Sequence, residues 1–261
     1  MSRFVKMVFY GSLVIVGLGI YYWQRHDDHV KVEVRHEHSV EQEQQAEELH
    51  FRNIEKELHA EHAEGDFHSV VVSGNYEVTL ATGENAYRIE GNRKLDDRIK
   101  VYIRDGVLNI STKEKLRKGE DIKLFISAPR YHRIIVSGAV DMESEDVLQA
   151  DELKLQISGA GDVDLEVAAQ KLEVGVSGAG DLELEGQARE ANMSISGAGK
   201  IEADELELRA AKVAISGAGN AELNVSDRLE VAISGAGAVS YKGSPELHKR
   251  ISGFGHVRKV D

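Results

Sequence analysis

The sequence contains no cysteine. That excludes disulfides, thiolate metal sites, a cysteine nucleophile and a lipid-modified amino-terminal cysteine, while leaving the redox compartment open. Aromatic residues are only 6% of the 261 positions, against 25 glycines, a balance that suits short strands and tight turns better than bulky helical packing. Basic residues are outnumbered, for a formal net charge of −13. No nucleic-acid partner is expected from such a chain, because phosphate binding needs clustered Lys and Arg. The apolar content of 41% is enough for a continuous core.

What the chain does have is one phrase used again and again. Ile/Val-Ser-Gly-Ala-Gly, or a close variant, recurs at Ser137, Ser158, Ser177, Ser196, Ser216, Ser234 and Ser252, with spacings of 21, 19, 19, 20, 18 and 18 residues. Self-similarity at that period marks a stacked array in which each repeat is one unit. Within a repeat the apolar period is two: Leu153, Leu155 and Ile157 alternate with polar neighbours before the corner, as do Val163, Leu165 and Val167 after it. A leucine-rich repeat would need an Asn or Cys ladder and a helical side, and neither is present. The pattern predicts an all-β fold, a parallel β-helix with rungs of about 18–21 residues over residues 66–261. Stacking puts like upon like. One core column reads Ile157, Val176, Ile195, Ile215, Ile233 and Ile251, and another Val163, Leu182, Ile201, Ala221 and Val239. A Ser-Gly pair already occurs at Ser73, 64 residues before Ser137, which predicts about three looser rungs of the same array.

The glycines Gly159, Gly161, Gly178, Gly180, Gly197, Gly199, Gly217, Gly219, Gly235, Gly237, Gly253 and Gly255 are read as structural corners, since a sharp turn repeated in register needs residues that accept φ > 0 or lack a Cβ. The serines beside them have no partnered His and acid, so a nucleophile is not expected. No Lys-Ser/Thr follows the glycines, which excludes a phosphate-cradling loop. Gly-Ala-Gly-Asp at Asp162 and Asp181 has the wrong register for a calcium-binding nonapeptide, because the ligand position is filled by Val163, Leu182 and Ile201. What remains is an outward acidic ladder: Asp141, Asp162 and Asp181 in one column, with Glu143, Asp164, Glu183, Glu202 and Glu222 two residues on. Like charges at strand spacing repel. Asp141, Asp162, Asp181, Asp164 and Glu183 are the candidate ligands for Ca²⁺ or Mg²⁺, but a flat face offers few of the six or more oxygens needed, so hydration is the expected relief. The column Glu143, Asp164, Glu183, Glu202 and Glu222 is the candidate binding surface. Gln156, Gly175, Ser194, Ala214 and Ala232 form a second, smooth outward face.

Before the array, Met7 to Trp23 is a run of 17 residues without a charge, closed by Tyr21, Tyr22 and Trp23. That length is near the lower limit for crossing a bilayer, and the aromatic cluster suits the interface. The expectation is an uncleaved transmembrane helix within residues 1–24 that inserts in the bilayer through residues 7–23. Arg3 and Lys6 set the amino terminus in the cytoplasm and the rest outside, in the bacterial inner membrane. A cleaved signal peptide fits less well, because Tyr-Tyr-Trp-Gln-Arg is not a small-x-small site. Residues 25–65 form an acidic linker, and Gln24 to His68 holds eight of the 11 histidines. His59 and His62 would share a helix face, a weak metal pair set against a solvated spacer. Residues 40–63 contain no Gly or Pro, and Phe51, Ile54 and Leu58 make a narrow apolar stripe, which predicts a helix.

Several of these residues carry a resemblance. The strand Val70-Val-Val-Ser-Gly-Asn, Ala128-Pro129 ahead of the first Ser137-Gly-Ala, the serial Ile-Ser-Gly-Ala-Gly corners, and Tyr241-Lys-Gly-Ser-Pro245 followed by Ile251-Ser-Gly-Phe-Gly resemble the putative auto-transporter adhesin, head GIN domain family, over about Phe67 to Val260. The resemblance implies a single-stranded right-handed β-helix in a bacterial envelope protein, with no catalytic residues to carry over. Two differences stand out: Val140 replaces a corner glycine, and only six residues follow Gly255, so no carboxy-terminal translocation barrel is expected. The functional expectation is a non-catalytic, membrane-anchored protein whose β-helix presents a binding or adhesion surface to a polysaccharide or an envelope protein. No cofactor is expected, and self-association would run through the linker helix or the terminal rungs. The acidic strip would favour cationic or cation-bridged ligands. The alternatives are a polysaccharide-active β-helix enzyme, using the acidic ladder beside Lys200, and a self-assembling scaffold.

Overall fold

The computed structural model describes residues 65–91, 98–113 and 122–260, together with the backbone of the strands Leu13–Val16, Gly19–His26, His29–Glu33 and Leu58–His62. It divides into two compact units, Met1–Glu55 and Lys56–Asp261. In the first, β1 (Leu13–Val16) pairs antiparallel with β2 (Gly19–His26), which pairs antiparallel with β3 (His29–Glu33). The helix expected over residues 7–23 is therefore corrected for the described part of that run. Val14, Ile15, Val16, Ile20, Tyr21 and Tyr22 are β-branched or aromatic, side chains that lose χ1 freedom in a helix and pack well on a pleated sheet. Among the described residues no helix is long and apolar enough to cross a membrane.

In the second unit the helix expected over residues 40–63 is also corrected at its end. There β4 (Leu58–His62) pairs antiparallel with β6 (Ala86–Glu90), so edge pairing overrides the apolar stripe; residues 40–57 lie outside the described residues. The rest is a β-solenoid. Its strands are β5 (Ser69–Thr82), β7 (Ile99–Arg104), β8 (Val107–Thr112), β9 (Lys123–Ala128), β10 (Arg133–Ser144), β11 (Leu148–Ala160), β12 (Asp162–Gly178), β13 (Asp181–Gly197), β14 (Lys200–Gly217), β15 (Asn220–Gly235), β16 (Ala238–Lys242), β17 (Glu246–Gly253) and β18 (His256–Lys259). From β10 onward each turn pairs parallel with the next, serine on serine and glycine on glycine. Both core columns read from the sequence are register columns of the structure.

One turn shows how the chain closes. In β12 the inward residues are Val163, Leu165, Val167 and Ala169, then Leu172, Val174 and Val176. The parity flips where Gln170 and Lys171 both face outward, and that is a second corner. Unequal repeat spacing arises away from the serine corner. β14 holds an extra residue between Glu202 and Glu205 relative to β13, and β15 is shortened after Leu223. Each fully buried Leu, Ile or Val contributes about 1.5–3 kcal/mol, and these columns repeat that burial through the whole stack.

The early part of the array departs from expectation. Ser73 pairs directly with Ser137, so the 64-residue step between them is not three rungs in order. β5 lies between β10 on one side and β8 and β9 on the other. The chain passes outward through β6 and β7, which pair antiparallel with β9 and β8. A two-residue Asp105-Gly106 hairpin, with φ of 51° and 72°, turns β7 into β8, the sequence that suits such a turn. Tyr131 is fully buried where the chain steps back across β5, and its hydroxyl reaches the carbonyls of Ala81 at 2.8 Å and Ile126 at 3.0 Å. Burial holds its phenol above the ordinary value.

Candidate functional site: the outward faces of the solenoid

The corners come first, because they decide which side chains face out. Gly197 has φ of 132°, a conformation open to glycine almost alone. A Cβ there would also run into the carbonyl oxygen of Gly178, the same oxygen that accepts from Ala198 N at 2.9 Å. Gly199 is constrained by packing instead, since a Cβ would lie 2.7 Å from both Gly180 O and Val176 Cγ1. The repeated phrase is thus a backbone device that carries hydrogen bonding around the bend. Where Val140 replaces the glycine, β10 runs through the corner unbroken and Val140 is buried in the core. The serines form an outward column from Ser111 through Ser73 and Ser137 to Ser252.

The acidic ladder is assembled over its central turns, while Asp141 pairs with Glu77 of β5. Glu143, Asp164, Glu183, Glu202 and Glu222 occupy one column on consecutive turns, and Asp162 pairs with Asp181 in the next. A third column, Glu166, Glu185 and Glu205, widens the strip. The charge of Asp164, then burial, then Glu202 and the flanking glutamates push the Glu183 carboxyl above its ordinary value. Lysines relieve the edges: Lys200 pairs with Glu202 and lies 3.7 Å from Glu222, Lys242 pairs with Asp204 at 2.7 Å, and Lys123 with Glu77 at 2.8 Å. Asp141, Asp162, Glu143 and Asp164 line a cleft of about 460 Å³. Among the described residues no group of three or more carboxylates or histidines converges tightly enough to hold a metal ion, which applies to Asp141, Asp162, Asp181, Asp164 and Glu183 alike.

The smooth face is also as read: Gln156, Gly175, Ser194, Ala214 and Ala232 share a column. It borders a shallow apolar depression of about 450 Å³. A further feature went unread. At the second corner a groove of about 730 Å³ crosses several turns, lined by Arg130, Gln149, Gln170, Gln187, Arg189, Arg209, Glu207 and Asn224. Its floor is thin because Ala150, Ala169 and Ala188 fill the core column there. Arg130 pairs with Asp151 at 3.0 Å and Arg209 with Asp227 at 3.3 Å. The signal was faint, because Gln149 and Gln187 share a column only with Ala168 between them and Gln170 lies two residues on, beside an unbroken glycine phrase.

The model of the putative auto-transporter adhesin, head GIN domain family matches residues 66–245. The chain belongs to this family. Beyond the matched segment, the β17 and β18 turn of this GIN-domain protein still stacks in register. No curated protein matches the chain. Among solved structures it is similar to a putative adhesin of Bacteroides fragilis NCTC 9343, with 27% identity, TM-score 0.74, and coverage of 78% of this chain and 98% of that one. A putative adhesin of Parabacteroides merdae ATCC 43184 shares the fold at 23% identity and TM-score 0.61, covering 78% and 97%. So does a protein of Parabacteroides distasonis ATCC 8503 described as a putative lipid binding protein, at 18% identity and TM-score 0.59, covering 78% and 97%.

Proposed function

We propose that this GIN-domain protein is a non-catalytic binding module of the bacterial cell envelope, and that its groove at the second corner holds an extended, hydroxyl-rich polysaccharide. The observation that carries the reading is the groove itself. One register column along it reads Gln149, Ala168, Gln187, Glu207 and Asn224 on successive turns about 4.8 Å apart, with Gln170, Arg189 and Arg209 beside it above a floor of small residues. It has no aromatic or large exposed apolar lining for a lipid or an apolar peptide, and its mixed Arg, Asp and Glu leave no strong field of one sign. Solenoids commonly use such extended faces to engage long partners. The family description and the two neighbours described as putative adhesins support an adhesive rather than an enzymatic role.

The test is a panel of linear polysaccharides run in affinity electrophoresis with the full chain. A retarded band is expected for at least one polymer, lost in Q170A/R189A and kept in E183S/E202S. Loss in the acidic variant alone would move the site to the ladder, and a shortened polymer after incubation would make the protein an enzyme. If no polymer or cell-surface ligand binds, adhesion is dropped. A carboxy-terminal reporter active only in the cytosol would overturn the location.

A further inference from the structure

The last turn, β17 and β18, continues some columns, with Leu247, Ile251, Ser252 and Val257 in register, and breaks others. The core column Val174, Met193, Val213 and Val231 finishes on Lys249. Another, Ala203, Leu223 and Tyr241, finishes on Lys259. The smooth outward column finishes on Arg250, and the acidic column, after Glu222 and Ser240, finishes on Arg258. The corner position that holds Ala179, Ala198, Ala218 and Ala236 holds Phe254, which is 93% exposed. A further turn stacked here would cover two ammonium groups, of which Lys259 donates to the Ser244 hydroxyl at 3.2 Å, with no carboxylate in the same columns, a heavy desolvation penalty. Lys249 and Lys259 therefore mark this as an outward end of the stack, wherever the chain itself stops.

Capping accounts for the two lysines but not for Phe254, Arg250 or Arg258. In a chain of net charge −13, this end gathers four cations, while Glu246 is the one carboxylate among its described residues and is held by His248 at 2.9 Å. We propose that this end of the solenoid docks on an anionic phospholipid surface. Lys249, Arg250, Arg258 and Lys259 would face the headgroup phosphates, and Phe254 would enter the boundary between headgroups and acyl chains. A flat, multiply charged surface with an apolar interior matches cations spread over an end together with one protruding ring. A second copy would present the same lysines and repel, and an acidic polymer would leave the phenyl ring in water.

The experiment uses the full chain carrying W23F/F254W, so that the only indole sits at position 254 and reports that end whatever the amino-terminal run does. Vesicles of phosphatidylcholine with about 30% phosphatidylglycerol should shift its emission to the blue and allow quenching by brominated lipid. Apparent affinity should exceed that for pure phosphatidylcholine by more than about tenfold and be lost in K249Q/R250Q/R258Q/K259Q. All five positions are exposed, so the earlier turns should keep their packing, which far-ultraviolet circular dichroism of each variant checks. The proposal is overturned if vesicles carry the protein without moving the emission, if pure phosphatidylcholine serves equally well, or if soluble polyglutamate produces the same shift.

Discussion

At the scale of single residues, two kinds of glycine separate. Gly197→Ala meets both a forbidden φ and a neighbouring carbonyl, and should cost at least about 2 kcal/mol. Gly175→Ala meets only Ser194 Oγ at 3.6 Å, without an unusual φ, and should be neutral or stabilising by about 0.4–1 kcal/mol; thermal unfolding of the pair checks both. The ladder makes a pH prediction of definite sign. The Glu183 carboxyl is raised in the fold, so between its unfolded and folded values the native state binds more protons, and stability falls as pH rises through that window. E183Q should therefore raise the melting temperature at pH 7, with a gain of a few tenths of a kcal/mol typical of one like-charge pair. The gain should shrink in high salt and vanish below the carboxylate range. An equal gain at pH 3 would refute the repulsion.

At the scale of elements, the strands flanking each glycine corner were legible from residue types alone, because alternation counted from the corner assigns their side chains to a face. Three things were not. The stretch between Ser73 and Ser137 was read by length, whereas the Asp105-Gly106 turn was the local sign that the chain doubles back. The run at Met7–Trp23 was read by hydropathy, which does not tell a short membrane helix from paired β-branched strands. The groove was missed because Ala168 interrupts Gln149 and Gln187 in its column while the glycine corner stays fixed. Lys249 and Lys259 add a prediction at this scale. Replacing both with Leu continues the core columns to an uncapped end, and sedimentation velocity should show concentration-dependent association that the parent lacks. A variant that sediments like the parent would mean that something else guards this end.

At the scale of the whole molecule, the solenoid separates its chemistry by direction: carboxylates along one side, amides and guanidinium groups along another, small residues on a third, and cations with a bare phenyl ring at one end. The corner phrase that dominates the sequence is a backbone device that keeps these columns in register from turn to turn. The account rests on the groove at the second corner, and calorimetric titration of the full chain with a size-graded series of a bound polysaccharide tests it most directly. Affinity should climb with oligosaccharide length and level off once the ligand spans the groove, about 20–25 Å for turns at strand spacing, with Q170A/R189A flattening the rise. An affinity independent of length, or unchanged in that variant, would contradict the account.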